Sequence, residues 1–453
     1  MKNVILTVLQ GFNSIRSVKI FIMQFVLVSL CFSSCKRGDE EPPVLSLSIL
    51  DGNTNYNYNE TISFSVSATD NEGIESLVVL VLSSNGSSVL DSKNFSTGNS
   101  GNYSSQAGIE HNNRYLNSGT YLLKAIASDG ENETVAFREV YLYALPKAIE
   151  RIFLFQSIDE ANMRIDSLNL NGNSSIAQTL DIGLDVAACN SFDATILIGG
   201  REFEGLTSLD PYSMNVMANL PTPANQSLDY FNDILYDEDA KDHFLSTRDG
   251  LIRVVSGDAV LKNTLSSSPF IPGKMALYED YLLVLEKSVN GFENRISTFN
   301  RNTGALLQST FLNFEPQAIL AQSSSGNNEI WLVGNQDESA ISRVFNVVLN
   351  TVYDPNGILE LNNSSAIIWA EILPDGRPVI SQANGTFVYS SDFSGTGIQI
   401  GNTASQIVLE PLNGLIFLVE EGQVIVVNAT TLNAIQSFPT LSGLRQLSVL
   451  YNK

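Results

Sequence analysis

Residues able to do chemistry are scarce in this chain. His111 and His243 are its two histidines, and Cys31, Cys35 and Cys189 its three cysteines. His111 lies in Glu110-His111-Asn112-Asn113 and reads as a polar surface turn. His243 opens an apolar stretch beside Asp242 and reads as a structural or solvent-facing residue. Neither has the His-x-x-x-His spacing or the Glu-rich setting of a metal site. Gly-x-Ser-x-Gly is absent, so no α/β-hydrolase nucleophile elbow is supported. Acids number 48 and are scattered, so a carboxylate pair for glycoside cleavage can always be drawn, and none is specific. Against them stand 25 Lys and Arg, a formal charge of −23, which excludes duplex binding through phosphate neutralisation.

The elements that must position these residues are strands. A chain of 453 residues exceeds what one core supports, about 250–300 residues. From 44 to 145, Ile62, Phe64, Val66 and Ala68 alternate with Ser63, Ser65, Ser67 and Thr69, the period-two signature of a half-buried strand. Similar strands follow at turn-bounded intervals, which reads as an Ig-like β-sandwich. Its turns carry Asp70 and Glu72, and Asp129 and Glu131. In an Ig topology those loops share one end, where four carboxylates would suit calcium. The same residues are also ordinary turn formers.

From 146 to 453 a unit of four strands recurs. The clearest copy runs Lys274–Tyr278, Tyr281–Leu285, Ile296–Asn300, then Arg301-Asn-Thr-Gly304 into Ala305–Phe311. First strands begin near Leu184, Phe231, Gly273, Pro316, Ala366, Ser405 and Leu444, at spacings of roughly 39–50 residues, the range of propeller blades. Seven starts predict a seven-bladed β-propeller; irregularity around Asp354-Pro-Asn-Gly357 also accommodates six or eight. Segment 444–451 is an orphan first strand, and pairing it with Arg151–Gln156 closes the ring without an exposed edge. In this register Arg201, Phe203, Tyr230, Arg248, Lys274 and Arg445 gather on loops at one channel mouth. Scarce cations beside aromatics there predict an anionic or polyhydroxylated ligand. Trp331 and Trp369 lie inside strand patterns and read as packing between blades, with a ligand-stacking face as the alternative.

The N-terminus supplies an address. Lys2, Arg16 and Lys19 precede the apolar run Ile20–Phe32, whose 13 residues are too short for a helix across a bilayer about 30 Å thick, but suit a signal-peptide core. Phe32-Ser33-Ser34-Cys35 resembles the lipobox of bacterial lipoproteins, with Phe32 where that family usually has Leu. The resemblance implies cleavage before Cys35 and lipid on its sulfur and amine. Residues 1–34 would then be the discarded signal, and 35–43 a flexible tether. Its acids behind Lys36-Arg37-Gly38 resemble the surface-export tag of some Gram-negative lipoproteins, implying display at the outer membrane. The mature chain keeps 22 basic residues against 48 acids, a net −26. Cys189 is left without a disulfide partner and reads as a small core residue.

The Asn/Asp–Thr–Gly turns of the repeats resemble YVTN-type blades, which are related to those of quinoprotein dehydrogenases. The Trp-Asp endings of WD40 repeats and the Gly-Gly period of kelch repeats are missing. A quinone enzyme of that family would bring metal-binding acids, stacked aromatics and often paired cysteines, whereas Cys189 has no second cysteine beside it. No cofactor is therefore expected, calcium apart. Two functions compete. One is a non-catalytic surface lipoprotein whose propeller binds a glycan or other nutrient, or docks an outer-membrane transporter. The other is a propeller glycan lyase or hydrolase using loop carboxylates.

Overall fold

The computed structural model describes residues 41–169, 174–201, 204–222, 229–321, 328–337, 339–354, 361, 365–440 and 442–452. The signal stretch, Cys35 and Phe203 lie outside the described residues. Every regular element described is a strand. The chain divides into two compact units, Met1–Leu145 and Pro146–Lys453.

In the first unit a three-stranded and a five-stranded sheet close over one core. Strand Thr61–Ile74 shows why. Ile62, Phe64, Val66 and Ala68 are buried, while the Ser and Thr between them face outward. The inward residues meet Leu77, Val79 and Val81 from the opposite sheet, and Leu123, Ala125 and Ala127 beside them. His111 is not on the surface. It directly follows strand Ser100–Glu110, and its ring is buried, bonds the Tyr143 carbonyl through Nε2 (2.9 Å) and meets Tyr58 edge-on.

The second unit is a β-propeller. Its described strands form seven four-stranded sheets, six of them consecutive meanders. They begin at Leu184, Phe231, Phe270, Glu315, Ile367 and Gln406. The remaining sheet joins the two ends of the unit: Leu444–Tyr451 pairs antiparallel with Ile149–Ser157, followed by Met163–Leu168 and Ser174–Leu180. Each sheet's innermost strand touches the next, and the last touches Leu184–Asn190 again. Apolar clusters fill the gaps between neighbours. Phe153 and Phe155 of the joining sheet pack with Ile196 and Ile198, and Phe417 and Val419 pack with Ile152 and Leu154 on its other side.

Turn chemistry sets the meander. Asn300 Oδ1 accepts the N–H groups of Asn302 (3.1 Å) and Thr303 (2.8 Å), and Gly304 takes a positive φ of 72°. Asp210 and Asn428 cap their turns in the same way, with Met214 (57°) and Leu432 (59°) at the glycine position. Side chains at that backbone angle cost about 1–2 kcal/mol, offset here because Met214 is buried and Leu432 packs against a core cluster.

His243 is fully buried, tilted against Tyr236 at 4.9 Å, and neither ring nitrogen has a hydrogen-bond partner. Burial pushes its pKa down from 6.5 to about 3. The unfolded chain therefore takes up a proton in that window that the folded chain refuses. The contribution to stability is whole above pH 6.5 and is lost as pH falls toward 3, at up to about 1.4 kcal/mol per pH unit. In His243→Phe, urea unfolding midpoints measured at pH 7 and pH 4.5 should differ less than in the wild type. Equal slopes would show that the ring is not the titrating group.

Loss of strand Leu444–Tyr451 removes the buried Leu447 and Leu450 and bares the edge at Ile149–Ser157. Each leucine is worth about 2–5 kcal/mol. A chain ending at 443 should melt at least ~10 °C lower by calorimetry; an unchanged transition would refute closure.

Candidate functional site

The innermost strand of each sheet has no neighbour on its inner edge, so its N–H groups need other partners. Side chains of adjacent sheets supply them. The Asp185 carboxylate accepts from Phe231 N (3.1 Å) and Asp233 from Met275 N (3.0 Å). Asn335 accepts from Ile367 N (2.8 Å), Ser381 from Ala404 N (2.8 Å) and Gln406 from Leu447 N (2.6 Å). The circle finishes with Gln446 and Ser448 accepting from Ala187 and Cys189 N–H groups (2.6 and 2.9 Å). Six of the seven innermost strands also break register near their starts. The residues left out of the ladder include Asp185, Asn232, Gly273, Lys274, Gln317, Ile368 and Arg445. Bulges re-aim side chains, and Lys274 is thereby sent into the channel.

These strands enclose a central cavity of about 800 Å³. Lys274 Nζ lies 2.8 Å from Asp233 Oδ1 and 4.0 Å from the centre of the Trp369 ring. Trp369 Nε1–H donates to Glu371 Oε1 (3.1 Å). Burial lifts the Glu371 carboxyl to about 7, against the lowering pull of the Trp369 N–H and Lys274, and Asp233 adds to the rise. Four residues from three innermost strands thus form one cluster.

The sequence-predicted site residues fare unequally. Arg201 and Arg248 do come together, because both approach Asp229 (2.8 and 3.7 Å). Arg201 also lies 3.4 Å from Asp185, whose carboxyl burial lifts to about 6 against the lowering pull of the Phe231 N–H. Tyr230 is no ligand platform: it is buried, its hydroxyl donates to Asp249 (2.7 Å), and the Arg253 guanidinium covers its ring. Segment Phe270–Lys274 is not a loop but the start of strand Phe270–Tyr278, which moves Lys274 from the rim to the channel wall. Arg445 is exposed at its bulge, without an ion pair among the described residues. A bowl of free cations therefore does not form: Arg201, Arg248 and Lys274 each face a carboxylate already.

The structure does not bring the four calcium candidates into one group. Asp70 Oδ1 accepts from Glu72 and Gly73 N–H groups, and Asp129 Oδ1 from Glu131 and Asn132, so each aspartate closes its own turn. Among the described residues no three His, Cys, Asp or Glu side chains gather as a metal site would require. Cys189 is buried, and burial pushes its thiol up to about 12, leaving no thiolate for chemistry. Trp331 packs against Phe393 at 4.7 Å, between sheets. Trp369 answers to both of its sequence readings, packing against a core cluster and turning its face to the channel, whereas Asp233 and Glu371 were missed as channel residues. A Trp two positions before a Glu in an innermost strand was the one signal available.

No family model and no curated protein matches the sequence. Among solved structures, a protein from Lactobacillus plantarum is similar over 68% of this chain and all of its own, at 14% identity and a TM-score of 0.53. That likeness shows the fold alone. Apo AztD from Citrobacter koseri matches 66% of this chain and 97% of its own at 9% identity and a TM-score of 0.46. Dihydro-heme d1 dehydrogenase NirN in complex with DHE matches 72% of both chains at 10% identity and 0.47.

Glu371 gives the site a spectroscopic handle. With Trp331→Phe, Trp369 is the sole indole, and its emission should titrate with a midpoint near pH 7 as Glu371 loses its proton. Because this carboxyl is raised from 4.5, the folded chain holds the extra proton, and stability from this group declines as pH rises from 4.5 toward 7. Adding Glu371→Gln should abolish the titration; persistence would place its source elsewhere.

Proposed function

We propose that this chain is an exported, lipid-anchored binding protein without catalytic activity, and that the channel of its propeller captures a small ligand. In this reading Cys35 carries the lipid, residues 36–43 tether the protein at the outer membrane, and an Ig-like module spaces a seven-bladed ring from the surface. Cell-surface display and docking to an outer-membrane transporter belong to the same reading. One observation carries the ligand site: a cavity of about 800 Å³ holding the Asp233–Lys274–Trp369–Glu371 cluster. Ligand pockets of about 300–1,000 Å³ with few convergent polar groups are the usual form of such sites.

The competing reading, glycan cleavage, needs two carboxyl groups free to act as acid and base. Glu371 has the raised pKa of an acid. The other channel carboxylates are occupied: Asp233 by Lys274 and the Met275 N–H, Glu286 by Arg295 and Ser297, Glu315 by Lys287. Glu286 Oε1 has no hydrogen-bond partner but is buried beside the Arg295 guanidinium, so among the described residues every channel carboxylate except Glu371 is paired with a cation, which favours binding over catalysis.

Ala276 lines the channel and is partly exposed there. Ala276→Trp should fill the cavity, and the folded variant should retain at least tenfold less of any small molecule that wild type captures from a metabolite extract, read by native mass spectrometry. Equal retention would move the site away from the channel. Cys35→Ser should shift the protein from the membrane to the soluble fraction and abolish palmitate labelling; continued labelling would sink the anchor.

A further inference from the structure

The ammonium group that faces the channel belongs to the protein itself. Lys274 Nζ rests over the face of Trp369 at 4.0 Å, with the Asp233 carboxylate at 2.8 Å, and Glu371 holds the indole from the side through its N–H. An aromatic face rimmed by carboxyl groups selects organic ammonium ions.

Charge accounting shows that this box has room for cationic charge. Of the charged residues lining the cavity, Asp233 pairs with Lys274, Glu286 with Arg295, and Lys287 with Glu315. Strands Leu184–Asn190, Gln406–Glu410 and Leu444–Tyr451 contribute only uncharged residues to the wall. Glu371 is the remainder, a carboxyl with no cation of its own among the described residues. An anionic ligand entering here would meet two carboxyl groups and a lysine already paired. A cationic one would meet the unbalanced carboxyl inside a mature chain of net −26.

Lys274 is also built to leave. Gly273 and Lys274 lie outside the ladder between the Pro272–Glu286 and Met275–Val284 pairs, so no strand pairing ties this residue down. Its side chain is 36% exposed to the cavity on a flexible four-carbon stem.

Resting on the channel reading above, we propose that Asp233, Trp369 and Glu371 form a binding site for a small organic ammonium ligand, and that Lys274 occupies it as an internal placeholder which the ligand displaces. The placeholder keeps two carboxyl groups and an indole from facing each other across an empty channel. It also sets a threshold, because a tethered competitor acts at an effective concentration on the order of millimolar.

The test uses the mature chain with Trp331→Phe, so that Trp369 alone reports, and n-butylammonium chloride as a copy of the lysine head; sodium butyrate and 1-butanol are the parallel probes. In Lys274→Ala, butylammonium should change Trp369 emission saturably and bind at least tenfold more tightly than in the protein that keeps Lys274. Adding Glu371→Gln should weaken that binding at least fivefold. Lys274→Gln, which keeps much of the stem, carries the same expectation should the alanine variant fold poorly. A folded variant with no saturable response to butylammonium, or an equal response to butyrate or 1-butanol, overturns the proposal. If Ala276→Trp still abolishes capture from the extract, such a failure leaves the channel as the binding site. If it does not, the channel reading falls as well.

Discussion

The propeller depends on one pairing, that of strand Leu444–Tyr451 with strand Ile149–Ser157. Seven sheets of four strands have cores that lie between sheets, not within them. Met275 and Val284 complete a cluster with Phe244 and Ile252, and Val186 and Leu197 do so with Leu245 and Val255. A sheet without a neighbour on each side leaves one apolar face in water. Only a closed circle supplies every face with a partner, and the two ends of the unit meet in the joining sheet. The limit on the size of one core is met by repetition around the ring.

Closure has a second consequence. Each innermost strand ends its sheet, and its inner N–H groups would stand unpaired along the channel. Asp185, Asp233, Gln406, Gln446 and Ser448 are placed where they answer those groups. Much of the polarity inside the ring is therefore structural, and a polar wall alone says little about ligands. Beyond the residues that close backbone bonds, Trp369 and Glu371 stand beside the Asp233–Lys274 pair. Trp369 leans on a core cluster, but that packing does not account for the carboxyl and the ammonium placed against its ring.

Features governed by local rules were legible in the sequence. Alternation at Ile62–Ala68 marked a half-buried strand, and the turns at Asp210, Asn300 and Asn428 marked meander corners because a side-chain oxygen must close them. First strands expected near Leu184, Phe231 and Leu444 begin at those residues. The site was legible in Lys274 and, as the alternative to packing, in Trp369. Lys274 stood out through the scarcity of cations, but its partners come from strands about 40 and 95 residues away, and a bulge that no residue type announces decides where it points. Tyr230 and His111 misled for a shared reason. Each stands one residue outside a strand, where a loop position is expected to face solvent, yet both are buried, Tyr230 against Phe231 and His111 against Tyr58.

The strongly acidic composition first suggested that any rare cation near the channel would attract an anion. The ion pairs reverse that inference. In a chain with 48 acids, a lysine or arginine is far more easily matched than a carboxylate, and Arg201, Arg248, Lys274 and Arg295 are all matched. The scarce resource in such a protein is positive charge, and the unsatisfied group is an acid. Glu371 meets that shortage by holding a proton to about pH 7, since burial and Asp233 outweigh what Trp369 and Lys274 return. A ligand that brings its own positive charge relieves the same shortage directly, which is why the channel's chemistry favours a cation over the anion that the rim arginines first implied.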